Sequence, residues 1–186
     1  MAAEPEITDF PDVNIVPMRR RHVRSVARIE AQVYPRPWSN SLFISELALR
    51  STRAYFVAKI GREVVGYAGL MMSMTDGHVT TIAVDPGWQR HNIGKRLLLG
   101  IAREGLERGA TALTLEVRLS NRPAQEMYKR FGFTAVGVRK GYYGDTGEDA
   151  LVMWAYDITD AAYGRLLEGL ERSIRGTTTY ERPKRW

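Results

Sequence analysis

Two stretches hold residue types whose spacing could do chemistry. In the first, Gln89, Arg90, His91, Asn92, Gly94 and Lys95 stand between a strand-like run, "HVTTIAVD", and a long helical pattern beginning near Ile93. The start of a helix is already positive from its aligned peptide dipoles, and Lys and Arg are favoured at the opposite end. Cations at that start, beside the unpaired backbone N–H groups of a first turn, make a site for phosphate. The alternative is a solvated first turn that happens to be basic. In the second stretch, "LTLEVRL", Glu116 is a carboxylate able to accept a proton, on the strand face opposite Leu113, Leu115 and Val117. Thr114, Glu116 and Arg118 also alternate as an ordinary polar face would, with Glu116 paired to Arg118. Tyr128 lies farther on, in "NRPAQEMYKRFG", where Ala124, Met127 and Phe131 share its stripe; that pattern alone reads as a core tyrosine.

The elements that must position these residues follow from periodicity. "NIVPM" reads as a first strand, and Val23, Val26, Ala27 and Ile29 then fall at helical spacing. "YPRPWS" is a loop, because prolines bracket Arg36, and Ser39 or Asn40 can cap a second helix through "LFISELAL". "AYFVAKIGREVVGYAGLMM" reads as a hairpin turning near Gly61, and "HVTTIAVD" as the next strand. The helix from about Ile93 to Arg108 offers Ile93, Leu97, Leu98, Ile101 and Leu106 to a core, with Gly109 as its stop. "ALTLEVRL" is a strand; Asn121 caps the short helix after it, with Pro123 in the first turn and Gly132 at the end. "FTAVGVRKGYY" and "DALVMWAYDI" are two further strands. A helix is expected from Thr159 to Arg175, and the final "GTTTYERPKRW" reads as a mobile basic tail. Strands that first pair as a hairpin and later alternate with helices imply a mixed sheet.

Composition narrows the chemistry. The chain has 186 residues, 44% hydrophobic and 26% charged, ordinary for one globular domain with a real core. It contains no cysteine, which removes disulfides, thiolate metal sites and a thiol nucleophile together. His22, His78 and His91 lack metal-ligand spacing, so no metal is expected. The net charge of +6 favours a polyanionic partner: a phosphate-bearing cofactor, RNA, or a surplus serving solubility. "MAAEPEITDFPD" is acidic and broken by proline, unlike a secretory signal, and the apolar run Val64–Met72 is too short to cross a bilayer. A cytoplasmic protein with no membrane association is expected.

"IAVDPGWQRHNIGKRLL" resembles the acetyl-coenzyme A motif of the GNAT-type N-acetyltransferases, Q/R-x-x-G-x-G/A opening a helix after a strand. Gln89 and Gly94 match, and Asn92 stands where the first glycine is usual; asparagine is the best substitute at a left-handed position. "YPRPWS", "LEVRLSN", "EMYKRFGF" and "KGYYGDTGEDALVM", in that order, are similar to segments of the bacterial ribosomal-protein alanine N-acetyltransferases, the RimI group. The resemblance covers roughly Asn14 to Ile158.

That resemblance implies an α/β (α+β) GNAT acetyltransferase fold: a mixed, mostly antiparallel sheet of six to seven strands flanked by helices. It implies a tail over residues 1–12, the acetyltransferase domain over 13–158, and an extension over 159–186 outside the resemblance. It assigns acetyl-coenzyme A to Ile82, Ala83 and Val84 through their backbone, to Arg90, His91, Asn92, Ile93, Gly94 and Lys95, and to Asn121. Glu116 takes the amine proton, through water, and Tyr128 protonates the leaving thiolate. Trp38, Tyr142 and Tyr143 form the walls of an acceptor groove, or else anchor their own loops. With no cysteine, direct transfer is simpler than a cysteine-bound acyl intermediate. The implied partner is the N-terminus of a protein, foremost the alanine of a small-subunit ribosomal protein. Lysine or a small amine on the same fold is the alternative substrate. A basic RNA- or ribosome-binding module, working through "MRRRHVR" and "RPKRW", is the non-enzyme alternative; the basic residues do not interleave with stacking aromatics, and no nucleic-acid role is required.

Overall fold

The computed structural model describes residues 10–183; the first nine residues of the expected tail, and the last three of "RPKRW", lie outside the described part. Eight strands form one sheet: β1 Val13–Pro17, β2 Arg53–Ile60, β3 Glu63–Ser73, β4 Asp76–Val84, β5 Ala112–Arg118, β6 Thr134–Tyr143, β7 Glu148–Ala155 and β8 Thr178–Tyr180. Five helices flank it: α1 Val23–Val33, α2 Asn40–Ala48, α3 Ile93–Glu107, α4 Arg122–Arg130 and α5 Ala161–Ser173. The strand order is β6-β7-β5-β4-β3-β2-β1-β8. Pairing is antiparallel except at β4–β5 and β1–β8. Among the described residues no helix is long and apolar enough to cross a membrane.

The two faces of the sheet are covered by different helices. On one, Leu97, Leu98 and Ile101 of α3, Phe131 after α4 and Leu167 of α5 pack on Val65, Leu70, Leu113, Leu115 and Val117. On the other, Val26 and Ile29 of α1 and Phe43 of α2 pack on Tyr55, Val57, Val64, Tyr67 and Ala83. Each fully buried aliphatic side chain contributes about 1.5–3 kcal/mol, so both layers are needed to hold the sheet. Ser39 caps α2, its hydroxyl accepting from the Leu42 N–H at 3.2 Å. Gly69 lies where β3 bulges against β4. A Cβ there would stand 2.4 Å from the Tyr55 ring and 2.6 Å from Thr80 Oγ1, so no larger residue fits.

One irregularity shapes everything that follows. β4 and β5 pair only where Asp76–His78 meets Ala112–Thr114. Beyond that point both strands continue, to Val84 and Arg118, without further pairing to each other. The sheet is split in its interior.

The expected mobile tail is corrected. Thr178–Tyr180 runs as β8 parallel to β1, so the sheet has one strand more than the sequence suggests. Arg96 of α3, wholly buried, holds this segment: its Nη1 donates to the Thr177 carbonyl at 2.7 Å and to Thr178 Oγ1, and its Nη2 to the Arg175 carbonyl. Three β-formers in a row give too short a period to read as a strand, and their partner is about eighty residues upstream.

Candidate active site

At the start of α3 the backbone takes the conformation that the asparagine was expected to permit. Asn92 is left-handed, with φ 61°, and its side chain makes no capping bond. Arg90 is left-handed too, with φ 69°, which nothing in its residue type announces. The first turn of α3 contains no acidic residue. Burial pushes the Lys95 ammonium down from its ordinary value, and the Arg130 guanidinium on α4 pushes it further down. Cations thus converge on the positive end of a fifteen-residue helix, an arrangement that an anion relieves. Arg130 escaped the sequence reading because α4 is a separate element; its place in the last turn of a helix looked like ordinary dipole complementation. His91 Nδ1 lies 2.9 Å from the Gln89 carbonyl and its ring packs edge-on against Trp88, which stiffens the turn. Gly94 faces Met127 of α4: a Cβ there would meet Sδ at 3.4 Å, ordinary contact.

The second feature is a cavity of about 400 Å³ at the split between β4 and β5. Glu116 and Tyr128 both line it, as do Trp38, Ile82, Asn121, Tyr142 and Tyr143. Glu116 belongs to the sheet face covered by α1 and α2 and Tyr128 to the core on the other face; the split lets them reach one space. The Glu116 side chain is 7% exposed and lies against two partners, His78 Nε2 at 3.2 Å and Arg139 at 3.1 Å. The expected pairing of Glu116 with Arg118 does not occur. Arg118 instead holds Asp145 at 2.7 Å and Glu148 at 3.2 Å, because the β6–β7 loop folds back over it.

Tyr128 packs against Phe133 with ring centroids 5.9 Å apart, so its ring serves the core while its edge reaches the cavity. Burial pushes its phenol well up, with Tyr34 and Tyr143 adding smaller upward pushes, so it is protonated throughout the working range. Asn121 caps α4 as expected, Oδ1 accepting from the Ala124 N–H at 3.2 Å, and also lines the cavity.

The walls are built from both ends of the chain. Trp38 packs on Phe43 at 5.4 Å, and its backbone N–H donates to Glu30 Oε1 at 3.1 Å, which fixes the "YPRPWS" loop to α1. Tyr142 and Tyr143 meet edge to face at 5.1 Å, and the Arg118 guanidinium sits 3.9 Å over the Tyr143 ring. These aromatics are therefore loop anchors and cavity walls at once. Tyr34, not foreseen, donates from its hydroxyl to the Ile82 carbonyl at 3.1 Å, so that carbonyl is already engaged. Ala83 and Val84 continue β4 beyond the cavity, and the Arg90–Lys95 turn lies past them. His78 is the other residue missed. Its signal was the alternation that puts it on one strand face with Thr80, weak because two polar residues in a strand are common.

The arrangement fits acetyl-coenzyme A: cations at a helix start for phosphates at one end, an unpaired strand edge in the middle, and a carboxylate and a phenol lining one cavity at the other. Arg90→Glu would put a carboxylate among those amides. The Michaelis constant for acetyl-coenzyme A should rise tenfold or more in steady-state assays, on the order of 1.4 kcal/mol. An unchanged constant removes Arg90 from the site.

Comparison with known proteins agrees. The Acetyltransferase (GNAT) family model matches residues 23–133. The chain is 39% identical over 137 residues to the putative [ribosomal protein bS18]-alanine N-acetyltransferase of Bacillus subtilis, covering 74% of this chain and 91% of that protein. It is 37% identical over 154 residues to the N-alpha-acetyltransferase RimI of Mycobacterium tuberculosis, covering 78% and 93%. The crystal structure of the ribosomal-protein-S18-alanine N-acetyltransferase from Escherichia coli superposes with a TM-score of 0.71 at 29% identity, covering 78% of this chain and 94% of that one.

Proposed function

The chain belongs to the GNAT acetyltransferase family and is an acetyl-coenzyme A-dependent N-acetyltransferase of RimI type; from there we propose that its acceptor is the α-amine of a protein N-terminus, foremost the alanine of a small-subunit ribosomal protein. The observation that carries this reading is the meeting of Glu116 and Tyr128, from opposite faces of the sheet, in one cavity walled by aromatic loops. Bound acetyl-coenzyme A supplies the activated acetyl group. Arg90, Lys95 and the amides of the α3 start hold its phosphates, and Asn121 and the free edge of β4 hold its arm. Glu116 accepts the amine proton through water, and the Tyr128 hydroxyl donates one on the leaving side. Trp38, Tyr142 and Tyr143 enclose the first residues of the acceptor and exclude bulk water.

The amine's own chemistry supports an N-terminus over lysine. An α-amine, with a pKa near 7.7–8.0, is roughly a tenth neutral at pH 7, whereas a lysine near 10.4 is neutral less than about one part in a thousand. A carboxylate working through water removes the former proton far more readily. Purified protein should acetylate peptides with a free N-terminal alanine and leave lysine-containing peptides with blocked N-termini untouched. Turnover on the blocked peptides, or on small amines alone, overturns the assignment. Intact masses of ribosomal proteins from cells with and without the gene then identify the acceptor.

For Tyr128 the packing role and the chemical role make opposite forecasts. Tyr128→Phe keeps the ring among Ala124, Phe131 and Phe133 and removes only the hydroxyl. Turnover should fall about tenfold or more, with the melting temperature within a few degrees of the parent. The loss should shrink with an acyl donor whose thiol is more acidic, because that leaving group needs less help. Full turnover would return Tyr128 to the core.

A further inference from the structure

His78 stands at the apex of the split, the last residue of β4 to pair with β5, opposite Thr114. Its Nε2 lies 3.2 Å from Glu116 Oε2, while Glu116 Oε1 lies 3.1 Å from the Arg139 guanidinium. Both oxygens of the base therefore have a side-chain neighbour, and one neighbour is a permanent cation. The His78 side chain is 21% exposed and lines the cavity; Nδ1 has no partner among the described residues. Burial pushes the imidazole down from its ordinary value, Glu116 pulls it partly back up and Arg139 pushes it down. Near pH 7 the ring is neutral and can accept a proton. The charged groups facing it are Glu116 from β5 and Arg139 from β6; Glu30 and Tyr34 of α1 line the same cavity.

We propose that His78 and Glu116 work as one proton acceptor, the amine proton passing through Glu116 to His78 and leaving the cavity from the imidazole. This rests on Glu116 as the base. The amine N–H bond breaks as, through the intervening water, a carboxyl O–H bond forms. That O–H bond then breaks as an N–H bond forms at Nε2, restoring the carboxylate beside an imidazolium. With the resting proton on Nδ1, the imidazolium releases that proton to water, exchange with water returns the remaining proton from Nε2 to Nδ1 before the next turnover, and nothing is oxidised or reduced. In solution an imidazole holds a proton about two pH units more tightly than a glutamate does. A second acceptor 3.2 Å from the carboxylate gives the proton a route away from the amine.

The test is the pH dependence of kcat with saturating peptide, for the wild-type protein, His78→Gln and Glu116→Gln. Glutamine keeps the polar contact but cannot carry the proton. His78→Gln should lose about tenfold at neutral pH, and the acid limb of its profile should move down by about one unit or more. A histidine that only props the strand would change stability or KM and leave that limb in place. Should His78→Gln fold poorly, an NMR titration of the His78 imidazole in the wild-type protein serves instead. Its midpoint must coincide with the kinetic limb, and a mismatch overturns the proposal. The two readings fail separately. Wild-type turnover in Glu116→Gln removes the base itself, whereas an inactive Glu116→Gln beside a His78→Gln with unchanged rate and limb removes only His78.

Discussion

Glu116→Gln is expected to lower turnover by about a hundredfold or more while leaving the affinity for acetyl-coenzyme A nearly intact. Glutamine has the size and shape of glutamate and can stay beside both Arg139 and His78, so the 7% exposed site suffers little repacking. What it loses is the ability to take a proton. Cofactor affinity should hold because the Arg90–Lys95 turn lies outside the cavity that Glu116 lines. Steady-state rates with a peptide acceptor, together with a binding titration of acetyl-coenzyme A, check both halves. A glutamate that merely closed a polar strand face would show normal turnover per folded molecule and a lower melting temperature.

The second large effect belongs to stability. Arg96→Met should cost about 3 kcal/mol or more, because it strips donors from the Arg175 and Thr177 carbonyls and from Thr178 Oγ1 in a buried place. For a chain of this size that lowers the melting temperature by roughly 6–12 °C. None of the hydrogen-bond acceptors of Arg96 is a carboxylate, and its Nε has no partner among the described residues, so the guanidinium is held by the tail's carbonyls and the Thr178 hydroxyl. Removing the chain from residue 175 onward should therefore be equally damaging, and combining the two changes should cost less than their sum. Thermal unfolding followed by circular dichroism measures all three. A melting temperature for Arg96→Met within two degrees of the parent would make the tail a passenger.

These two residues also mark what the sequence discloses and what it hides. That Glu116, Tyr128 and Asn121 belong to one candidate site was legible because each sits in a short contiguous motif, and the αL place of Asn92 because so few residue types tolerate that conformation. The seven strands from β1 to β7 were legible by their period. Hidden were the contacts made between elements. His78 and Arg139 meet Glu116 from two other strands, Arg118 turns to a loop rather than to its strand neighbour, and Arg130 approaches Lys95 from another helix. β8 was hidden for the same reason: Thr178–Tyr180 has too few residues to show a pattern, and its partners, β1 and Arg96, are far away in sequence. Local propensity announces an element; only assembly announces its company.

The split between β4 and β5 has a consequence for isotope exchange. A strand at the rim of a sheet has a ladder on one side only, and its outward amides trade hydrogen for deuterium quickly. From Val79 to Val84, β4 is paired on one side, with β3, although it lies in the middle of eight strands. The molecule thus carries a rim inside its own interior, bordered by aromatic loops. Deuterium uptake along these few amides distinguishes an empty groove from a filled one without any catalytic event. It reads a silent occupant as readily as a reactive one.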